Sequence, residues 1–299
     1  MRMHVCALLS VILGCAHGAR AEQEFDGTVA FRYVVTQLSF GPRVPNTEGH
    51  RKTGDWILEH LRATADSAEE QAFVHMTAGG DTLLLRNLIG RFRPESAERI
   101  LYVAHWDTRP VADRSANLGD QRLPVPGAND GASGLALLLG VADALLQQQP
   151  RYGVDLLFVD GEDYGSFSDP ELHDVLIGSQ YYAKNLDPTV PRPLFAVVWD
   201  MIGDRELRIL QEGNSLAGAP EVVQRVWERA RAVGYERVFR RKQGQYITDD
   251  NIPLQDAGIR AIDVIDLEFA SWHTLEDTLD KVSSESLQIV GEVAVAMIR

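Results

Sequence analysis

Cysteine is nearly absent from the 299-residue chain: Cys6 and Cys15 are its only thiols, and both lie close to the amino terminus. A body without cysteine excludes disulfides, thiolate nucleophiles and sulfur-ligated metal sites together. Basic charge is also scarce, with 29 Lys and Arg against 43 Asp and Glu and a formal net charge of −14. The cations form no long cluster, which argues against nucleic acid as a partner, because phosphate recognition needs a basic face. Past the amino-terminal segment no stretch approaches the roughly eighteen apolar residues of a membrane span, and neither an internal repeat nor a low-complexity tract is present. What is there, 45% hydrophobic and 24% charged, is the composition of an ordinary globular protein long enough to bury a core unaided.

The first 21 residues stand apart. A short basic head, Met1-Arg-Met-His, precedes an apolar run from Val5 to Ala16, too short to cross a bilayer and suited to the core of an export signal. Ala19-Arg20-Ala21 fits a cleavage site that starts the mature chain at Glu22. Ile12-Leu13-Gly14-Cys15 equally fits a lipoprotein signal ending at residue 14, with Cys15 lipidated. The expected product is periplasmic or secreted, membrane-anchored only in the lipidated case. Both cysteines leave with the simple signal, as do Arg2 and Arg20, so the body carries 27 basic against 43 acidic side chains. Any metal there must be held by carboxylates and by His50, His60, His75, His105, His173 or His273.

Apolar runs alternate with amphipathic segments through residues 22–299, which read as one domain. Helices are expected near Thr53–Ala63, Ala132–Gln148, Pro220–Gly234 and Ser284–Ile298, and strands near Arg99–His105, Val154–Val159, Leu194–Trp199 and Ile259–Ile265. That alternation predicts an α/β/α sandwich of three layers around a mostly parallel sheet. Sites in such sheets lie at the carboxyl ends of the strands. Polar clusters fall there: His105-Trp106-Asp107, Asp160-Gly161-Glu162-Asp163, Asp200, and Trp272-His273 after a short loop.

Each cluster has a plain structural reading and a chemical one. Asp130, in Gly127-Ala-Asn-Asp-Gly131, either caps the following helix or offers its carboxylate to a metal. His105 and Asp107 at i and i+2 share one face of a strand, and a carboxylate beside an imidazole commonly orients a metal-binding histidine. Glu162 and Asp163 allow one acid to bind metal while its neighbour moves protons. Ligands of this kind, without sulfur, suit zinc in an open catalytic site; calcium or magnesium would take more oxygens and no histidine.

These motifs, in this order, resemble the co-catalytic zinc aminopeptidase superfamily, which includes the animal-type glutaminyl cyclases. The pieces carrying the resemblance are His105-Trp-Asp, Gly127-Ala-Asn-Asp-Gly, Asp160-Gly-Glu-Asp, Trp199-Asp-Met-Ile-Gly and Trp272-His-Thr. It implies a zinc aminopeptidase-like fold, Asp130, Asp163 and His273 as ligands of a common zinc, and Glu162 as general base and acid. In the aminopeptidase branch His105 and Asp200 complete a second zinc site with Asp130 bridging. In the cyclase branch one zinc is typical, and Asp200 binds the substrate amine and shuttles protons.

Flanking segments resemble the cyclases more. Phe40-Gly-Pro-Arg-Val-Pro45 is similar to their amino-terminal signature, and Leu176-Ile-Gly-Ser-Gln-Tyr-Tyr-Ala183 to the segment after the paired acids. Asp249-Asp250-Asn251-Ile-Pro-Leu is similar to a stretch whose second Asp joins the proton network, and Trp272 to the tryptophan walling the substrate pocket. Asp163 stands where a Glu ligand is usual, Asn251 where a His is, and the animal enzymes' disulfide has no counterpart. The resemblance implies conversion of an N-terminal glutamine to pyroglutamate, or else removal of N-terminal residues, on peptide or protein substrates with a free amino terminus.

Overall fold

The computed structural model describes residues 25–167 and 173–299. The export signal expected over residues 1–21 lies outside them. The chain runs α1 (Gly27–Ser39), α2 (Glu48–Thr64), β1 (Ser67–Met76), β2 (Thr82–Phe92), β3 (Arg99–His105), α3 (Ala132–Gln147), β4 (Gly153–Val159), α4 (Ile177–Lys184), β5 (Phe195–Asp200), β6 (Ile209–Gln211), α5 (Gly213–Gly218), α6 (Pro220–Ala232), β7 (Phe239–Gln243), α7 (Asn251–Asp256), β8 (Ala261–Ile265) and α8 (Ser284–Ile298).

Six strands form the central sheet in the order β1-β2-β4-β3-β5-β8. The four from β4 to β8 are parallel, while β1 and β2 join antiparallel at one edge. The expected α/β sandwich is therefore present, with an antiparallel hairpin that the apolar pattern did not signal. The reason is visible in β1: all but one of its ten residues keep some solvent exposure, and Glu69, Glu70 and Gln71 interrupt any apolar run. Strands β3 and β4, by contrast, are buried at every position, as both-face coverage demands.

The larger core layer joins α1, α3, α6 and α8 to one face through Leu135, Leu138, Val222, Leu287 and Val290 among others. A smaller layer on the opposite face packs Leu254 of α7 and the Tyr182 ring of α4 on Leu101, Val103 and Leu157. Helix α3 approaches the sheet closely at Gly134, where a Cβ would lie 2.2 Å from the carbonyl oxygen of Trp199. Only glycine permits that contact, and it sets the start of α3 against the end of β5. Helix α2 begins five residues before its expected start, at the Thr47 cap, whose hydroxyl accepts from the His50 amide. No described helix is long and apolar enough to cross a membrane.

Candidate functional site

The site is built where β3, β4, β5 and β8 end. His105 is the last residue of β3, and Asp107, fully buried, follows two residues later. The Asp107 carboxylate accepts hydrogen bonds from the backbone N–H groups of Glu162 (3.0 Å) and Asp163 (3.1 Å), fixing the turn after β4. Its Oδ1 lies 3.6 Å from His105 Nδ1, just beyond the distance at which the imidazole N–H would donate to it. Asp107 thus sits beside His105 and also holds the turn at the end of the adjacent strand.

Asp130 does not cap α3: Gly131 stands at the cap and supplies no side chain. The Asn129 and Asp130 amides instead donate to Asp277 at 2.8 and 3.0 Å. The freed Asp130 carboxylate spans both histidines, with Oδ1 3.1 Å from His105 Nε2 and Oδ2 3.7 Å from His273 Nε2. Asp200, closing β5, brings Oδ1 to 3.2 Å from the same His105 nitrogen. Asp163 Oδ1 lies 3.3 Å from His273 Nε2. Met201 (φ 46°) and His273 (φ 58°) are left-handed residues without glycine's freedom, both in the turns that aim this cluster.

Two triads of ligand atoms result, His105/Asp130/Asp200 and Asp130/Asp163/His273, each with its atoms within 4.8 Å of one another and with Asp130 in both. Every member is buried. Oxygen and imidazole nitrogen without sulfur form the donor set of a catalytic zinc. The charge balance agrees: Asp107, Asp130, Glu162, Asp163, Asp200, Asp249, Asp250 and Asp263 are all buried, and they outnumber the neighbouring cations among the described residues, Arg43, His105, Arg109, Arg114 and His273. A divalent cation would compensate this excess. The residues therefore fit the metal.

Electrostatics follow from that crowding. Burial pushes Glu162 well above the usual carboxylate range, with Asp163, Asp249 and Asp250 adding to the effect and the His105 charge opposing it. Asp249 and Asp263 are pushed well up by burial first and by other acids second. Burial works against protonation of His105 and His273, yet the carboxylates prevail, Glu162 foremost at His105 and Asp163 at His273, which reaches about 9.

A cavity of about 230 Å³ opens onto this cluster. Arg114, Asp130, Glu162, Asp163, Asp200, Thr248, Asp249 and His273 supply its polar lining, and Phe167, Met201, Ile247, Ile265, Leu267 and Trp272 its apolar walls. Trp272 lines the cavity, its ring 4.3 Å from that of His273. Asp250 is not among the lining residues. It is fully buried, and its Oδ1 accepts from the Ser179 hydroxyl behind the cavity, while Asp249 faces in. A turn at the start of α7 presents the first of the paired acids, which the motif alone did not distinguish from the second.

Sequence reasoning also missed Arg109, only 3% exposed, which donates to Asp163 Oδ1 at 2.9 Å and to both oxygens of Asp113 at 2.9 and 2.7 Å. Asp113 Oδ1 in turn lies 3.5 Å from His273 Nδ1. Arg109 and Asp113 thus brace Asp163 and His273 from behind, in the manner of outer partners of metal ligands. The Thr-Arg-Pro sequence after His105-Trp-Asp offered no signal for this.

The sequence pattern of peptidase family M28 matches residues 87–298. A crystal structure of a Bacteroides thetaiotaomicron glutaminyl cyclase bound to N-acetylhistamine is 38% identical, with a TM-score of 0.88 over 92% of this chain and 97% of that one. A structure described as a leucine aminopeptidase precursor from the same organism has the same identity, TM-score and coverage. Aminopeptidase YwaD of Bacillus subtilis is 25% identical over 92% of this chain, which spans 57% of that relative's length. The curated relatives are thus matched over part of their length, the solved structures over nearly all of theirs. The chain belongs to peptidase family M28, a zinc peptidase family whose fold this structure shares.

Proposed function

We propose that this M28 member is a zinc-dependent glutaminyl-peptide cyclotransferase, converting an N-terminal glutamine to pyroglutamate with release of ammonia. The observation that carries the reading is Asp249, a cavity-lining carboxylate beside Glu162 and Asp200 and backed by Asp250 and Asp263. Either reaction moves one proton from the nucleophile to a departing nitrogen through Glu162. In cyclisation that nucleophile is the substrate's own α-amine, and Asp249 with Asp200 sets two carboxyl groups around it beside Glu162. The 38% identity to a glutaminyl cyclase and the cyclase-like segments around Arg43 and Ile177 support the same reading.

Zinc held by Asp130, Asp163 and His273 would supply Lewis-acid polarisation of the glutamine side-chain carbonyl. Trp272 and the apolar walls enclose the side chain and exclude water. Asp200 and Asp249 hold the α-amine. Its nitrogen bonds to the side-chain carbonyl carbon, Glu162 takes the amine proton, and the same proton returns to the side-chain nitrogen as its bond to carbon breaks and ammonia leaves. Atoms balance without added water.

A second reading, di-zinc aminopeptidase, is favoured by the His105/Asp130/Asp200 triad and by the leucine aminopeptidase-like structure. Incubating purified protein with a Gln-initiated peptide separates the two. Cyclisation lowers peptide mass by about 17 units, the ammonia expelled, with one zinc per chain. Loss of a whole residue with two tightly held zincs per chain would overturn it. In either reading we take residues 1–21 as an export signal and peptides with free amino termini as substrates.

A further inference from the structure

The catalytic cavity has one cation on its wall that neither the ligand set nor the proton path uses. Arg114 lines the cavity, is exposed, and places its guanidinium carbon 4.0 Å from the Trp272 ring centroid. Its backbone N–H donates to the carbonyl of His273 at 3.2 Å, so it is tied to the same turn as the candidate ligand. Among the described residues no carboxylate lies within ion-pair distance of this guanidinium. The adjacent Asp113 is occupied by Arg109 and His273. A rim cation therefore stands above a floor made of Asp130, Glu162, Asp163, Asp200 and Asp249.

That polarity has a direction. The floor attracts a substrate's amine, and the rim attracts an anion. A peptide with its amino group on the floor leads its next residue outward past Trp272, and an extended residue advances about 3.3 Å. Arg114 stands two ring contacts from His273, through Trp272. Stacking holds the guanidinium in one plane and shields one of its faces, so less freedom is lost when it binds a carboxylate.

We propose that Arg114 is a specificity-determining residue that selects peptides with an acidic side chain at the second position. The proposal rests on a peptide amino terminus entering the cavity, not on which bond is then broken.

The test uses three otherwise identical peptides beginning Gln-Glu, Gln-Gln and Gln-Lys. Binding is measured calorimetrically on zinc-loaded Glu162→Gln protein with Arg114 intact or replaced, and ammonia release is followed with Glu162 present. The Glu peptide is expected to bind about three- to five-fold better than the Gln peptide, and the Lys peptide worst, with the difference appearing in KM. Arg114→Ala should level the series, Arg114→Glu should invert it, and about 0.5 M salt should compress it. Equal affinities with Arg114 present, or a preference that survives Arg114→Ala, overturns the proposal. Ammonia release without acidic preference removes this proposal and leaves the cyclase reading. An Arg114-dependent preference in binding without ammonia release removes the cyclase reading and leaves this one.

Discussion

The two ends of the central sheet bury charge in opposite ways. At the amino ends of β3 and β4, Arg99 has no exposure and forks onto Asp155: Nε donates to Oδ2 at 3.0 Å and Nη2 donates to Oδ1. Its Nη1 donates to the carbonyl oxygen of Arg93 at 2.8 Å. Arg91 Nε lies a further 3.8 Å from Asp155 Oδ1, so the buried anion is matched by cations of the chain itself. At the carboxyl ends, the eight buried acids in and behind the cavity outnumber their cationic neighbours among the described residues, Arg43, His105, Arg109, Arg114 and His273. Asp263 has no hydrogen-bond partner for either oxygen there. Fold and burial are the same at both ends, so the difference lies in whether the charge closes on itself. A buried pair complete within the chain is architecture. A buried excess of one sign costs free energy unless something from outside completes it, and that marks the functional end.

The largest effects are expected where that completion is attacked. Asp130 belongs to both ligand triads, so Asp130→Ala should lose zinc and at least about a thousand-fold in kcat/KM. Glu162→Gln preserves shape and lies outside both triads. It should keep zinc while kcat falls about 10²- to 10⁴-fold. Zinc content of the purified proteins beside ammonia release separates the two outcomes. A Glu162→Gln protein at the unsubstituted rate would refute its role.

At the opposite end the same kind of cut should destabilise without touching chemistry. Arg99→Met leaves buried Asp155 with only the Arg91 guanidinium, its Nε 3.8 Å away, at a cost of up to about 3–5 kcal/mol. Urea unfolding should show it, with kcat of the folded fraction within about two-fold of the unsubstituted protein. The double variant Arg99→Met/Asp155→Leu should recover most of the loss, since two apolar groups of similar volume replace a complete pair. If Arg99→Met reduced kcat as severely as Glu162→Gln, the contrast between the two ends would fail.

How much of this was legible beforehand follows the same division. Runs such as Ile100–Ala104 and Leu156–Val159 are apolar because both faces are covered, so β3 and β4 could be read from composition alone. Strand β1 was not legible, because at the sheet's edge its pattern follows solvent. The acids and histidines at the strand ends were legible as a group, and the structure brings ligand atoms of His105, Asp130, Asp163, Asp200 and His273 into two triads. Their partners were not. Arg109, Asp113 and Asp277 act through contacts made only after distant segments meet, as for Asn129 and Asp277, 148 positions apart. Asp249 and Asp250 have identical side chains, and only the turn into α7 decides which faces the cavity.

The smallest effect should appear as a slope in stability against pH. Burial, assisted by Asp130, raises Asp277 to about 7, and burial raises Asp250 to about 7 as well. The native state then holds protons that the unfolded chain has already released above about pH 4, so stability must fall as pH rises from there through about 7. His273 acts in the same direction: the stabilisation of its protonated form is complete below about 6.5 and is lost as pH rises through about 9. Chelator-treated protein should therefore melt roughly 5 °C lower at pH 8 than at pH 5 in scanning calorimetry. Zinc binding displaces protons from its ligands, so added zinc should raise the melting temperature little at pH 5 and much more at pH 8. Asp277→Asn should flatten the metal-free slope, while lowering stability overall because the amide has a single acceptor oxygen for the two N–H groups of Asn129 and Asp130. A metal-free melting temperature that stayed level or rose with pH would show that the carboxyl end is as internally balanced as the Arg99 end.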